Sequence, residues 1–272
     1  MPADSRLFEK SSPPFRAPKN RFPEDLRRAV RRLEGRPEPL DEAAGLLPFG
    51  IAPIDQALGG GLARAALHEI AAASEAEAAA ATGFALALAG FSAPARAVLW
   101  VAEEMAHRES GAPYGPGLDE VGLAPEAVLV VAAAHPRDVL WAMEEALRCR
   151  AVGAVVGEIR KANAVDGVAS RRLSLAAARH QRLALLLRAR PETQPVAAAT
   201  RWIVGAAPSP KRALSAVGPS AFAVRLVRNR HGRLGSWTLE WNRAEHRFEL
   251  APTHSQPVAA EIVDRPHSAA VA

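Results

Sequence analysis

Residues 65–90 read AALHEIAAASEAEAAAATGFALALAG, and this stretch decides the fold class of the chain. It begins as a short apolar strand, Leu67 to Ile70, and continues as a long alanine-rich helix. In many nucleotide-binding α/β proteins, such a strand-to-helix turn is a glycine-rich phosphate loop that ends in Gly-Lys-Ser/Thr. The turn here contains no glycine and no lysine, and it carries Glu75 and Glu77. It is either a phosphate site that has lost its ligands or an ordinary helix start.

Composition predicts a globular protein. The chain has 272 residues, of which 49% are hydrophobic and 23% charged, enough for one sizeable domain or two small ones. Its single cysteine, Cys149, excludes an internal disulfide and fits a reducing cytosol. No apolar run approaches the roughly 18 residues that a membrane span needs, and the N-terminus lacks the apolar region of a secretory signal. We therefore expect a soluble cytoplasmic protein without a membrane partner.

Charge is divided unevenly along the chain, although the formal net charge is only +5. Residues 1–36 contain ten Lys/Arg and five Asp/Glu, and residues 37–147 contain four and sixteen. Residues 148–250 contain nineteen Lys/Arg and six Asp/Glu. This division indicates a basic face for nucleic acid or for an acidic partner. Ordinary solvated surfaces would explain the same counts.

The pattern along the chain predicts four segments. Residues 1–21, rich in Pro, Ser and charge, are expected to be disordered. Residues 22–46 are expected to form a helical arm and a linker, because an amphipathic pattern begins near Pro23 and stops at Gly35. Residues 47–250 form the core, and residues 251–272 are expected to be a disordered tail.

The core predicts an α/β fold. Apolar runs that alternate with helical patterns indicate a parallel sheet covered by helices on both faces. After the run LALLLRA, however, the runs TRWIVGAA, AFAVRLVRN, GSWTLEWN and HRFEL follow one another without helices. These four runs predict an antiparallel C-terminal hairpin extension with RNRHGRLG as a turn. All five tryptophans are expected to pack in the core or on the hairpin, at Trp100, Trp141, Trp202, Trp237 and Trp241.

The order of these pieces resembles a RecA-type ATPase core. LPFGIAPIDQALGGGLARAALHEI resembles its entry, AVLWVAEE the strand that ends in the catalytic glutamate, and VGAVVGEI the strand that ends in the magnesium-side carboxylate. VRLVRNRHGRLGSWTLEW resembles its basic hairpin. Over about residues 47–250 the series resembles the ImuA family, RecA/SulA-like accessory proteins of the bacterial SOS mutagenesis cassette. The resemblance implies a RecA-like parallel sheet with a degenerate phosphate loop.

The phosphate-loop positions of that resemblance hold unsuitable residues. Ala78 aligns with the lysine and Ala79 with the hydroxyl that binds magnesium. Glu75 and Glu77 place carboxylates where phosphate oxygens would lie, and two like charges about 4 Å apart repel by about 4 kcal/mol at an effective dielectric constant of about 20. A plain helix start, with Ser74 as N-cap and both glutamates in the first turn, explains the same residues. We expect no cofactor.

Two carboxylates align with catalytic positions of the ATPases. Glu103 aligns with the water-activating glutamate and Glu158 with the metal-side carboxylate. Without a phosphate loop they are expected to be relics, and Glu103 or Glu104 is expected to pair with a nearby arginine. The loops after Glu158 and after the fifth strand are short where RecA has DNA-contacting loops. Because the phosphate loop is missing, we do not expect an enzyme. We also expect no metal site, since no Cys/His spacing suits zinc.

The basic hairpin is the remaining candidate site. Arg228 and Arg230 align with lysines that, in RecA filaments, reach the neighbouring protomer's nucleotide, and Arg225 and Arg233 add to the basic patch. These four residues are expected to contact another protomer or a different protein. A solvated hairpin tip is the alternative.

The resemblance implies a non-hydrolysing adaptor in translesion synthesis after DNA damage. Its partners would be ImuB, an inactive Y-family polymerase homologue, and an error-prone C-family DNA polymerase, with RecA as a further partner. Two other functions stay open: a DNA-binding module that uses the basic C-terminal half, and an ATPase with an atypical phosphate loop. A SulA-like inhibitor of cell division is a distant third.

Overall fold

A computed structural model describes residues 45–93, 96–209 and 218–252. The predictions of a disordered N-terminus (1–21) and of a helical arm (22–46, apart from its last two residues) lie outside the described residues. So does the predicted tail, apart from its first two residues. The segment boundaries therefore stay predictions.

Nine strands form one sheet in the order β11-β10-β9-β8-β3-β7-β6-β4-β5. They are β3 (Leu67–Ala72), β4 (Ala97–Glu103), β5 (Val128–Ala133), β6 (Val152–Ile159), β7 (Leu183–Arg188), β8 (Thr200–Ala206), β9 (Ala221–Asn229), β10 (Gly235–Asn242) and β11 (Arg247–Leu250). A separate ladder joins β1 (Leu46–Leu47) to β2 (Leu62–Ala63). The helices are α1 (Ala52–Leu58), α2 (Ala78–Ser92), α3 (Glu104–Ser110), α4 (Gly115–Glu120), α5 (Pro136–Arg148) and α6 (Gly167–His180).

The sheet is parallel from β8 to β5 and antiparallel from β8 to β11. This confirms the predicted fold class, a RecA-like parallel sheet with an antiparallel C-terminal extension. One detail was wrong, because β8 was assigned to the antiparallel part and in fact pairs parallel with β3, His68 opposite Thr200. The chain returns along residues 189–199 without a helix, and the missing helix was misinterpreted as a hairpin signal.

The core has two layers, one on each face of the sheet. On one face α2 packs with Phe84 against Trp202, whose rings lie 6.0 Å apart. On the other face α5 and α6 pack against the parallel strands through residues such as Met143 and Leu173. Every residue of β3 and β7 is buried, as expected for central strands covered on both faces.

One buried histidine joins the central strands. His68 Nε2 lies 2.8 Å from the Ala63 carbonyl oxygen, so this nitrogen carries the proton. His68 Nδ1 then accepts from the Thr200 hydroxyl at 2.7 Å, and that hydroxyl oxygen accepts from Trp202 Nε1 at 2.9 Å. Burial lowers the pKa of His68 to about 4, against a weaker opposite effect of the Ala63 hydrogen bond. The folded protein therefore holds a neutral imidazole here.

The tryptophan prediction holds for four of the five residues. Trp100, Trp202 and Trp241 are buried, and Trp237 is half-buried against the core. Trp141 on α5 is 65% exposed, so its assignment to the core was wrong. Val139, Met143 and Leu147 form the inner stripe of α5. Trp141 follows Val139 by two residues, a rotation of about 200° at about 3.6 residues per turn, and therefore points to solvent.

The outermost parallel strand, β5, is less covered than predicted. Leu129 and Val130 point to opposite faces and are both exposed, so neither face of this edge strand is fully covered. In the part of the chain that the structure describes, no helix has the length and apolarity needed to cross a membrane.

Candidate functional site at the carboxyl ends of the parallel strands

The turn after β3 occupies the place of a phosphate loop. Ala73 N donates to Val204 O at 2.8 Å, which fixes the turn to β8. Glu75–Glu77 form a single 3-10 turn, and α2 begins only at Ala78. Ser74 is the N-cap of the 3-10 turn, but its hydroxyl makes no capping bond there. Ser74 thus occupies the predicted N-cap position and both glutamates lie in the first helical turn, which is 3-10 rather than α, but the Ser74 side chain does not cap it.

Glu77 crosses from this turn to the end of β8. Its half-buried carboxylate accepts a hydrogen bond from the backbone N–H of Ala206. Gly205 leaves room for it, because a Cβ atom at Gly205 would lie 3.2 Å from Glu77 Oε2. Glu75 is exposed. The first two residues of α2, Ala78 and Ala79, present methyl groups where the resemblance places a phosphate-binding lysine and a magnesium-binding hydroxyl.

Glu103 ends β4 and is 9% exposed. Its Oε1 accepts from the backbone N–H groups of Arg160, at 2.8 Å, and Lys161, at 3.2 Å. The arginine pairing predicted for Glu103 or Glu104 is made by Glu104, whose Oε2 lies 3.6 Å from Arg108 Nη2. Glu103 therefore holds the loop after β6 against the end of β4.

Glu158 lies near the end of β6, and Arg160 binds it. The Glu158 Oε1 atom lies 3.1 Å from Arg160 Nε, and the same guanidinium bonds Glu109 Oε2 at 2.9 Å and the Ser110 hydroxyl. Residue 160 thus contacts both aligned carboxylates, Glu103 through its backbone and Glu158 through its side chain. The guanidinium supplies positive charge next to Glu158, where the resemblance places a metal-side carboxylate.

A buried ion pair crosses from β3 to β8. Glu69, 2% exposed, pairs with Arg201, which also donates to the Glu192 carbonyl at 2.9 Å and to the Gln194 carbonyl at 2.8 Å. Burial raises the pKa of Glu69, and the charge of Arg201 opposes that rise. The pair fixes residues 192–194 to the sheet.

Arg188 at the end of β7 extends this network. It is 2% exposed, pairs with the Glu192 carboxylate and donates to the Lys161 carbonyl at 3.1 Å. Its Nη1 atom is buried without a hydrogen-bond partner among the described residues. The sequence reasoning missed the Glu69–Arg188–Glu192–Arg201 network. The sequence pattern that could have indicated it is a charged residue in each of two mostly apolar strands, Glu69 in LHEIAA and Arg188 in LALLLR.

The four arginines of the basic hairpin form two separate groups. Arg228 is half-buried and donates to Val196 O at 2.7 Å, and Arg230 N donates to Ala199 O at 3.0 Å. Partial burial, and then the nearby charges of Arg228 and Arg171, lower the pKa of Arg230. The structure therefore brings Arg228 and Arg230 together beside residues 196–199, next to Arg171 on α6.

Arg225 and Arg233 lie away from that pair. Arg225 is exposed on β9, on the face opposite the buried residues Val224 and Leu226. Arg233 is exposed at the hairpin tip, where its backbone N–H donates to Ala57 O at 2.9 Å. Asn229 Nδ2 donates to the same carbonyl at 2.9 Å. The tip is thus not free in solvent, because α1 holds its backbone.

Within the described ranges, no group of three or more His, Cys, Asp or Glu side chains is arranged to hold a metal ion. The fold and the site together define a RecA-like α/β domain whose phosphate-loop positions are alanine. The crystal structure of the RadB recombinase matches it with a TM-score of 0.50 and 16% identity, over 76% of this chain and 100% of that chain. No protein-family profile matches.

Two curated relatives, each named Protein ImuA, come from Caulobacter vibrioides strains NA1000 / CB15N and ATCC 19089 / CIP 103742 / CB 15. Each is 30% identical to this chain over 222 residues, 74% of this chain and 85% of the relative. The chain belongs to the ImuA family.

Proposed function

We propose that this chain is a non-hydrolysing adaptor in a DNA-damage-induced complex for mutagenic translesion synthesis. Membership of the ImuA family supports a role in the ImuA/ImuB mutagenesis cassette. The observation that carries the adaptor role is the turn after β3, with alanines at 78 and 79 and with Glu77 bound to Ala206. The RecA-like scaffold is then a rigid platform for partner proteins.

Negative charge opposes phosphate binding in this turn. A nucleotide phosphate in this turn would need a cation and free N–H groups, since it carries several negative charges. The turn offers two carboxylates instead, and Glu77 already uses the N–H of Ala206. Glu103 and Glu158 are likewise engaged with residue 160. These contacts support an adaptor that neither binds nor hydrolyses ATP.

The proposed partners are an ImuB-like Y-family homologue and the error-prone C-family polymerase complex, with RecA as a further partner. Arg225 and Arg233 are exposed and would be available to them. Arg228 is less available, because it already binds the Val196 carbonyl.

Calorimetry tests the adaptor proposal. We expect no heat of binding when MgATP is titrated to micromolar concentrations into the full chain, and no ATP turnover with or without single-stranded DNA. An active RecA preparation provides the positive control. Turnover comparable to RecA that is lost in Glu103→Gln would overturn the proposal in favour of an ATPase with an atypical phosphate loop.

Direct DNA binding is the second candidate, favoured by the nineteen Lys/Arg against six Asp/Glu in residues 148–250. It predicts an affinity for oligonucleotides that falls steeply between 50 and 200 mM salt, by about 10³-fold or more for six or more phosphate contacts. Arg188, Arg201 and Arg228 argue against it, since each donates to carbonyl groups of the chain itself.

A further inference from the structure

The outward face of α5 and α6 carries three large apolar side chains. Trp141 is 65% exposed, Val168 71% and Leu175 61%. Scattered single apolar residues are normal on protein surfaces, but a contiguous group marks an interaction site. Trp141, Val168 and Leu175 are called the Trp141 patch below.

An ion pair joins the two helices, and the three apolar side chains lie one helical turn from its members. Glu144 Oε2 lies 2.5 Å from Arg172 Nη2. On α5, Trp141 precedes Glu144 by three residues. On α6, Val168 precedes Arg172 by four and Leu175 follows it by three. Residues three or four apart lie side by side on a helix, so the patch surrounds this ion pair.

Exposed charges of both signs surround the patch, including Asp138 three residues before Trp141, but the arginines outnumber the carboxylates. Glu144 and Glu145 are both paired inside the chain, with Arg148 and, for Glu144, also with Arg172. Arg137 precedes Trp141 by four residues, and Arg179 follows Leu175 by four. Both are exposed, and neither makes an ion pair or a side-chain hydrogen bond to any residue of the described ranges. Two guanidinium groups without an ion-pair partner among the described residues therefore flank the three apolar side chains.

We propose that the Trp141 patch binds an acidic amphipathic segment of the Y-family homologue in the proposed complex. Apolar side chains of that segment cover Trp141 and Leu175, and its carboxylates pair with Arg137 and Arg179. The inference rests on the proposed adaptor function and names the surface that performs it.

The geometry suits a binding anchor. Tryptophan and arginine are enriched among residues that dominate binding energy, and such anchors lie on rigid elements inside a polar rim. The inner stripe of α5 is fully buried at Val139, Met143 and Leu147, so the helix that carries Trp141 is held firmly. The association rate of an acidic partner is also increased, because opposite charges attract the two proteins before contact.

Two substitutions in the full chain test the proposal. The probe is the purified full-length Y-family homologue, titrated against wild type, Trp141→Glu, Leu175→Glu and the control Leu250→Glu. Leu250 is 46% exposed on β11, at the edge of the sheet opposite β5, and is an exposed leucine like Leu175. We expect Kd to rise at least about tenfold for Trp141→Glu and Leu175→Glu and to stay unchanged for Leu250→Glu. Unchanged thermal unfolding confirms that each variant folds.

The outcomes separate the two proposals. If wild type does not bind the homologue, both the adaptor function and the inference fail. If wild type binds and neither Trp141→Glu nor Leu175→Glu weakens the complex, the inference fails and the adaptor function stands. If Trp141→Glu removes affinity for single-stranded oligonucleotides and leaves the protein complex intact, the patch is a nucleic-acid stacking site and the inference is overturned.

The charge of the partner is tested separately. The double variant Arg137→Glu/Arg179→Glu should weaken the complex and reduce its salt dependence, because it removes the charges that meet the partner's carboxylates. Tighter binding of that variant would show that the partner segment is basic, which would overturn the proposal.

Discussion

At the scale of single residues, polar groups at the central strand make their hydrogen bonds within the chain. His68, Glu69 and Glu77 are polar groups at or near the central strand, and each is satisfied inside the chain rather than directed at a ligand. A buried polar group costs free energy unless it is bonded, so each of these contacts has a measurable effect on stability.

His68 makes stability depend on pH. The pKa is about 4 in the folded chain and 6.5 for a free side chain. Between these values the unfolded chain binds the extra proton, so stability falls as pH falls through this window and is fully present above pH 6.5. From pH 7 to pH 5 we expect wild type to lose about 2 kcal/mol more than His68→Gln. Urea unfolding at both pH values measures the difference, in which the effects of other titrating groups cancel. Equal losses would contradict a neutral buried imidazole.

Arg201 compensates a buried carboxylate. Removal of one member of a buried ion pair leaves an unpaired charge and typically costs 3 to 5 kcal/mol, and we expect about 3 kcal/mol or more for Arg201→Met. The double variant Glu69→Leu/Arg201→Met should be more stable than Arg201→Met, since no charge is left unpaired. Urea unfolding of the two single variants and the double variant measures this coupling. Additive effects would argue against a direct Glu69–Arg201 pair.

At the scale of elements, the hairpin between β9 and β10 is held by its contact with α1. Ala57 O accepts from both Asn229 and Arg233, and the chain passes so close to it that only glycine fits at position 232. A Cβ atom there would lie 2.0 Å from Ala57 O. A hairpin with a free tip would show no such restriction.

Gly232→Ala should therefore destabilise the protein by about 1 to 3 kcal/mol, because the tip must move away from α1 and lose both hydrogen bonds. Gly167→Ala is the matched control, since a Cβ atom at Gly167 meets nothing within 4 Å. We expect the control to be neutral or slightly stabilising, as fewer unfolded conformations remain. Thermal unfolding compares the two. Equal destabilisation would show that the close approach at Gly232 is relieved without cost.

The strands and helices also show which parts of the fold the sequence predicts and which it does not. The apolar runs of β3, β4, β6 and β7 predicted strands because fully buried strands need continuous apolar side chains. The direction of β8 was missed, because the return segment has no helix to mark a crossover. Trp141 was misplaced although the i, i+4, i+8 spacing of Val139, Met143 and Leu147 predicts the inner face. The Glu69–Arg201 pair joins residues 132 positions apart, and no local pattern predicts such a contact.

At the scale of the whole molecule, the two edges of the sheet come from chain segments of opposite net charge. Strands β4 and β5 come from the acidic segment 37–147, and β8 to β11 come from the basic segment 148–250. The two ends of the sheet therefore differ in charge. We expect association with the Y-family homologue to slow at least about tenfold between 50 and 500 mM NaCl, with a much smaller change in dissociation. Stopped-flow or biosensor kinetics separate the two rates. A salt effect confined to dissociation would contradict electrostatic steering.

The bond between Glu77 and Ala206 has a mechanical consequence. Glu77 ends the turn that starts α2, and Ala206 ends β8, where the parallel part of the sheet meets the antiparallel part. A partner that pulls on the chain after β8 pulls on the start of α2 as well. Where the resemblance places a phosphate loop, this bond therefore couples the start of α2 to the end of β8.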